Sequence, residues 1–235
     1  MPSLYLFPTL LADTDYRECL PEKNIEKILS CRFFIVEELR TARRFLRKIG
    51  FRTSFEQTEF YVLNEHTTDT QMQDYLQPLE QGNDIFLMSE AGLPCVADPG
   101  SKIVAAAQRK GINIIPLAGP SSIYMSLMAS GFNGQNFAFL GYLPVKEDER
   151  IRKIRQTESR CYKENQTQIF IEAPYRNDKL LQTLLNTLQN DTLLCIASDI
   201  TAENQSIQTR SVARWKQIPN LTIGKRNTIF LIYKP

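Results

Sequence analysis

A chain of 235 residues has room for one large domain or two small ones, and its 43% hydrophobic content is that of an ordinary globular protein with a full core. No run reaches the ~18 apolar residues of a membrane span, and a formal net charge of +2 does not by itself announce a nucleic-acid partner. Cys19, Cys31, Cys95, Cys161 and Cys195 are widely spaced, odd in number and form no C-x-x-C pair, so reduced cytoplasmic thiols are expected. With one histidine, His66, a metal site built from histidines is excluded by count. The opening MPSLYLFPTLLADTD has no basic region and its apolar run is broken by Pro8, so no signal peptide is expected.

In chain order, Leu4–Phe7 reads as a first strand ended by Pro8. A helix is expected over 24–29, after Pro21, and a buried strand at Phe33–Val36 with Glu37 and Glu38 at its carboxyl end. Leu39–Ile49 is strongly amphipathic, with Leu39, Ala42, Leu46 and Ile49 on one face, arginines 40, 43, 44 and 47 on another, and Gly50 to close it. A helix over 68–79 starts from a Thr68 cap. Ile85–Met88 is a strand, 102–109 a helix, 114–117 a strand and 123–129 a helix. This alternation predicts a doubly wound, mostly parallel sheet over residues 1–117. Beyond it the pattern changes to mixed α/β with some antiparallel pairing over 118–235. Strands are expected at 137–140, 167–172, 192–197 and 228–233, a surface helix at 146–163, a core helix at 176–188, and a strand running into a short helix over 208–215.

Two loops stand out. Ser89–Gly100, SEAGLPCVADPG, joins a strand to a helix with two Gly, two Pro and the carboxylates Glu90 and Asp98. Ala118–Ser122, AGPSS, does the same soon after. Open α/β sheets bind ligands where such loops leave the strands, and small residues let a ligand approach the backbone. One such loop is more often a plain turn; two together point to one small molecule held by both. There is no G-x-x-x-x-G-K and no G-x-G-x-x-G, which weakens kinase-like and dinucleotide readings, and no serine lies in G-x-S-x-G.

SEAGLPCVADPG, PLAGPSS, FAFLGYLP and FIEAPYR occur in this order at family-like spacing. Together they resemble the tetrapyrrole-methylase superfamily of S-adenosylmethionine methyltransferases, most closely its small-subunit ribosomal RNA cytidine 2′-O-methyltransferase branch, from about Leu4 to Tyr233. That branch reads close to SDAGTPxxSDPG at Ser89–Gly100 and FYEAPHR at Phe170–Arg176. Departures fall on the substrate side. Pro8–Asp13 has no Gly where the branch carries TPIGNL, the AEDTR segment is Val36–Arg40, the HEHN segment is Asn64–Thr67, and no basic helical tail follows the last strand.

The resemblance implies two α/β domains with a cofactor cleft between them, a homodimer, no metal, and transfer of a methyl group from S-adenosylmethionine to a ribose of ribosomal RNA. By motif position it implies cofactor contacts from Pro8, Ser89, Glu90, Ala91, Gly92, Pro94, Asp98, Gly119, Pro120, Ser121, Ser122, Leu140, Glu172, Ala173 and Ala202. A ribose hydroxyl needs a general base; Glu37, Glu38, Glu65, His66 and Glu172 are candidates, with Glu38 and Glu172 ranked first by motif position. Glu172 could equally be paired with Arg176 four residues on, and a lone His66 is more often structural. Arg40, Arg43, Arg44 and Arg176 are the candidate substrate contacts, extended by Arg150, Arg152, Lys153 and Arg155; a solvated face is the plainer reading of the arginine stripe. Two alternatives stay open: a methyltransferase of this fold acting on a tetrapyrrole-like small molecule, and a cofactor-binding protein without catalysis.

Overall fold

The computed structural model describes residues 1–234. Tertiary contacts divide the chain into two compact units, Met1–Ser121 and Ser122–Pro235. The division falls just beyond the boundary expected at 117/118, because the loop after the fifth strand stays on the first unit. Leu117 N–H donates to Leu6 O (3.0 Å), and Asn24 Nδ2 donates to Ala118 O (2.8 Å).

In the first unit, β1 (Ser3–Phe7), β2 (Phe33–Val36), β3 (Glu59–Val62), β4 (Ile85–Met88) and β5 (Asn113–Pro116) form one sheet in the order β3-β2-β4-β1-β5. Every neighbouring pair is parallel. A parallel sheet needs cover on both faces, and its side chains alternate accordingly. Phe7, Phe34, Val36, Phe86 and Met88 share a core with Ile25 and Ile28 of α1 (Glu22–Leu29) and with Ala42 and Leu46 of α2 (Leu39–Lys48). Leu4, Ile35, Ile85 and Leu87 pack instead with Met72 of α3 (Asp69–Tyr75), Leu79 of α4 (Gln77–Glu80) and Ile103, Ala106 and Ala107 of α5 (Gly100–Arg109).

Local chemistry sets most boundaries. Gly50 (φ +95°) closes α2, donating to Arg47 O (3.1 Å), while Phe51 N–H reaches back to Leu46 O (2.9 Å). The single helix expected over 68–79 is two. Thr68 and Gln71 make a capping box for α3, and Pro78, with no N–H to donate, breaks the run into α4. The edge strand β3, EFYV, was not expected, although Phe60–Leu63 is a short apolar run; its residues are only partly buried or exposed.

In the second unit, β6 (Phe137–Tyr142), β7 (Thr167–Ile171), β8 (Leu193–Ser198), β9 (Ser206–Ser211) and β10 (Thr228–Tyr233) are ordered β6-β7-β10-β8-β9. Only β6 and β7 run parallel. α6 (Ser122–Ser130) is tied to β9 by Thr209 Oγ1, which donates to Ser130 O (2.8 Å). α7 (Glu147–Lys163), α8 (Asn177–Thr187) and α9 (Val212–Lys216) close a core containing Ile154, Phe170, Leu184, Trp215 and Phe230. α7 is not simply the expected surface helix. Arg150, Ile154, Thr157, Glu158 and Cys161 form a buried stripe with only one aliphatic member, which hid it in a charged sequence. Arg150, expected on a basic rim, is 2% exposed and donates to Val145 O (3.0 Å), so it is removed from any such rim.

Phe34 lies at the centre of the first core, stacked on Phe60 (5.4 Å between centroids), edge-on to Phe51 (5.7 Å) and tilted against Phe86 (6.3 Å). Phe34→Ala is expected to destabilise the protein by about 3–5 kcal/mol in urea unfolding.

Candidate active site

The chain leaves β1 toward the face of α1 and α2, and leaves β4 toward the face of α5. β1 and β4 are neighbours, so their loops part over the carboxyl end of the sheet. That is the crevice in which open α/β sheets hold ligands. A backbone bridge ties its two walls: Thr9 N–H donates to Gly92 O (2.9 Å) and Gly92 N–H to Thr9 O (3.3 Å). Thr9 Oγ1 donates to Ser89 O (3.1 Å), and Ser89 Oγ donates to Gly92 O (2.7 Å). Gly92 has φ +75°, and a Cβ there would sit 3.0 Å from Leu11 Cδ2. The glycine of this junction thus lies in the β4 loop, and the glycine-free β1 loop supplies threonine instead.

Asp98 organises the rest of the β4 loop. Its carboxylate accepts from Cys95 N–H (2.9 and 2.8 Å) and Gly100 N–H (2.7 Å). These bonds hold Cys95 (φ +69°) and Ala97 (φ +63°) in left-handed backbone, which is uncommon without glycine. Burial raises the Asp98 pKa above the usual range, outweighing the two backbone donors. In the β5 loop, Gly119 meets a packing constraint. A Cβ there would come within 2.2 Å of Pro8 Cγ, so this glycine exists to fit the buried Pro8 ring. Pro94, Pro120 and Ser121 are also buried, whereas Glu90 and Ala91 are exposed at the crevice.

The carboxylates divide their roles. Glu38 is the N-cap of α2, with Oε1 accepting from Arg40 N–H (2.9 Å) and Oε2 from Thr41 N–H (2.7 Å). Those backbone donors hold its pKa below the usual range. Thr41 Oγ1 lies 2.8 and 2.9 Å from the two Glu90 oxygens, joining α2 to the β4 loop. Glu37, half-buried, accepts from Glu90 N–H at 3.2 Å through Oε1. Its pKa is raised, mainly by desolvation and further by the charges of Asp98 and Glu90, against the one backbone donor. Thr41 and Thr9 were not singled out in the sequence; a carboxylate just before an amphipathic helix was the available signal for the Glu38 cap.

The other candidates are placed apart. Arg43 packs its guanidinium over Phe55 and Phe60 (5.2 Å each), with its Nε buried and without a hydrogen-bond partner. Arg47 covers Phe55 (4.1 Å) and donates to Phe51 O (2.5 Å). Only Arg40 and Arg44 of the expected stripe remain exposed without such packing. His66 is 85% exposed in the loop after β3, its ring 3.5 Å from Glu65. In the second unit, Leu140 in β6, Glu172 and Ala173 after β7, and Ala202 after β8 share one end of the sheet, while Ser122 opens α6. Buried Glu172 is bound to Arg176 (2.6 Å, with a second contact from Nε at 2.9 Å) and caps its own turn through Ala173 N–H (2.8 Å). The i, i+4 pairing therefore engages the Arg176 guanidinium with Glu172 through Oε1. Among the described residues no group of three or more His, Cys, Asp and Glu side chains is placed to hold a metal ion, and no helix is long and apolar enough to cross a membrane.

Gly119→Ala is expected to destabilise the chain by about 1–3 kcal/mol, since the Pro8 ring has nowhere to yield. Gly134, whose added Cβ meets nothing within 4 Å, is the control, and its Ala variant should stay within about 0.5 kcal/mol of wild type in the same urea titration.

Comparison with known proteins gives the fold a lineage. The profile of the Tetrapyrrole (Corrin/Porphyrin) Methylases matches residues 16–214. A "Ribosomal RNA small subunit methyltransferase I" of Vibrio cholerae serotype O1 is 28% identical over 90% of this chain and 69% of its own length. The protein of the same name from Helicobacter pylori strain J99 is 31% identical over 86% of this chain and 72% of its own. Across such relatives the chain spans from 57% to 72% of their length. The crystal structure of the methyltransferase CobJ superposes over 100% of both chains with a TM-score of 0.64 at 12% identity, a likeness of fold. The chain belongs to the tetrapyrrole (corrin/porphyrin) methylase family of methyltransferases.

Proposed function

We propose that this chain is a cytoplasmic, homodimeric S-adenosylmethionine-dependent methyltransferase that modifies a ribose 2′-hydroxyl of small-subunit ribosomal RNA. The observation that carries the reading is the pair of loops after β1 and β4, cross-tied by Thr9 and Gly92, with the carboxylates of Glu37, Glu90 and Asp98 grouped at the β4 loop. The donor set suits the group. A sulfonium is a cation, and three carboxylates with no arginine or lysine paired to them favour positive charge there. When bound, S-adenosylmethionine supplies an electrophilic methyl group, and much of the catalysis then lies in placement. The acceptor is read from the names borne by the relatives.

Cofactor contacts in the first unit come from Ser89, Glu90, Ala91 and Gly92 and from the Gly119–Ser121 loop, with Pro8 supporting the latter. In the second unit, the candidates by motif position are Leu140, Ala173 and Ala202. The RNA is met by Arg40 and Arg44, the two arginines of α2 not packed on rings. Exposed apolar side chains support the homodimer: Tyr124 and Met128 lie one turn apart on α6, and Tyr142 and Val145 at the end of the edge strand β6.

Purified protein with S-adenosylmethionine should add one ribose methyl to small ribosomal subunits taken from a strain lacking the gene, and mass mapping of that strain's ribosomal RNA should show one such methyl missing. No methylation of the subunits, with transfer to a porphyrin-like acceptor instead, would replace RNA by a small molecule as substrate. Replacing Arg40 and Arg44 together by Ala should flatten the salt dependence of RNA binding by about two in log–log slope, one per lost phosphate contact. Light scattering should return twice the 27.0 kDa chain mass; a monomer at micromolar concentration would remove the dimer.

A further inference from the structure

The register pairs Val36 with Met88, so the chain leaves β2 and β4 side by side, about 4.8 Å apart. Glu37 and Ser89 are the first residues beyond those strands. Around this point the carboxylates differ in what their oxygens already do. Both oxygens of Glu38 accept from the first turn of α2, both of Glu90 lie within hydrogen-bond distance of the Thr41 hydroxyl, and both of Asp98 hold the β4 loop. His66 lies 85% exposed beyond the edge strand, and in the second unit, considered by itself, Glu172 is bound to Arg176. Glu37 combines partial burial, an uncommitted oxygen and the absence of an ion pair: Oε1 accepts one N–H from Glu90, and Oε2 has no partner among the described residues, whereas the similarly free Oε2 of Glu172 belongs to a carboxylate already paired with a guanidinium.

We infer that Glu37 is the general base of the methyl transfer, its Oε2 receiving the proton of the ribose 2′-hydroxyl. The inference rests on the ribose-methyltransferase reading above. In the step, the hydroxyl O–H bond breaks and its proton passes to Glu37, while the oxygen forms a bond to the methyl carbon. The methyl–sulfur bond breaks with its electron pair going to sulfur, which leaves neutral S-adenosylhomocysteine, a methyl ether and a protonated Glu37. The charged groups acting on Glu37 are Asp98 and Glu90 of the β4 loop, and it makes no ion pair among the described residues. Two carboxylates and partial burial keep its proton affinity high, which a base acting on an alcohol needs.

The test is Glu37→Gln in the full chain, assayed on small subunits from the deletion strain. The variant should lose 10²–10⁴-fold in kcat, roughly the share of one general base, with the subunit KM and the calorimetric affinity for S-adenosylmethionine both near wild type. In wild type, kcat should fall toward acid with a midpoint above the ~4.3 of an ordinary glutamate, because the base form is lost as pH drops through a raised pKa; this limb should vanish in the variant. A readout without turnover is the carboxyl carbon titration of the unloaded protein by NMR, where one glutamate should titrate high and disappear in Glu37→Gln. The same raised pKa means that ionised Glu37 opposes folding as pH rises, so the variant should melt no lower than wild type at neutral pH. Wild-type kcat in Glu37→Gln, a kcat loss found in Glu38→Gln instead, or an effect confined to cofactor affinity would each overturn the assignment. A wild-type protein that methylates no subunit would fail earlier, and would take down the substrate reading itself.

Discussion

The pairing of Thr9 with Gly92 is the constraint on which the candidate site depends. β1 and β4 send their chains to opposite faces of the sheet, so nothing in the strands themselves holds the two loops together. Two backbone hydrogen bonds do, backed by the hydroxyls of Thr9 and Ser89 inside a buried junction. Removed from water, such bonds are expensive to leave unmade. The neighbouring β5 loop is fixed by volume, with the Pro8 ring filling the space that a side chain at Gly119 would need. Three loops are thereby held in one arrangement by the protein's own contacts, and methyl transfer depends on such placement.

Charge is distributed at this site by hydrogen bonding more than by ion pairing. Asp98, Glu38 and Glu90 all spend their oxygens on backbone N–H groups or on the Thr41 hydroxyl, and each such bond fixes a piece of local structure: the left-handed turn at Cys95 and Ala97, the start of α2, and the link from α2 to the β4 loop. The opposite pKa directions of Glu37 and Glu38, adjacent in sequence, follow from this. Glu38 faces solvent and several donors; Glu37 faces partial burial, one donor and two like charges. Adjacent residues at the end of a strand point to different sides, and their environments part accordingly.

The basic residues show a comparable sorting. A stripe of arginines on α2 looks uniform in sequence, yet two of its members lie on a cluster of phenylalanines, where a flat guanidinium stacks and its stem adds apolar cover to the sheet edge. Arg150 goes further and is enclosed in the second unit, with a carbonyl as partner in place of a carboxylate. Counting positive charges thus overstates the surface offered to a polyanion.

The amino-acid sequence alone was enough for the parallel first sheet, the mixed second sheet, the two Gly/Pro loops that follow β4 and β5, and the family, because hydrophobic periodicity, Gly/Pro punctuation and ordered motifs are local properties. Single breakers such as Gly50 and Thr68 act on their own neighbours and were legible for the same reason. The edge strand β3, the buried stripe of α7 and the break at Pro78 were less so, since a four-residue run is too short to signal a strand by itself, the α7 stripe holds one aliphatic residue, and a proline can either end a helix or begin the next. What only the tertiary structure decided was which of several similar residues does what. Glu37, Glu38, Glu90 and Glu172 are alike in sequence; they differ in which N–H, hydroxyl or guanidinium the fold brings within hydrogen-bond distance of their oxygens. Those partners lie up to 53 residues away, as between Glu37 and Glu90, and a separation of that length is set by sheet order and register, which no local pattern encodes.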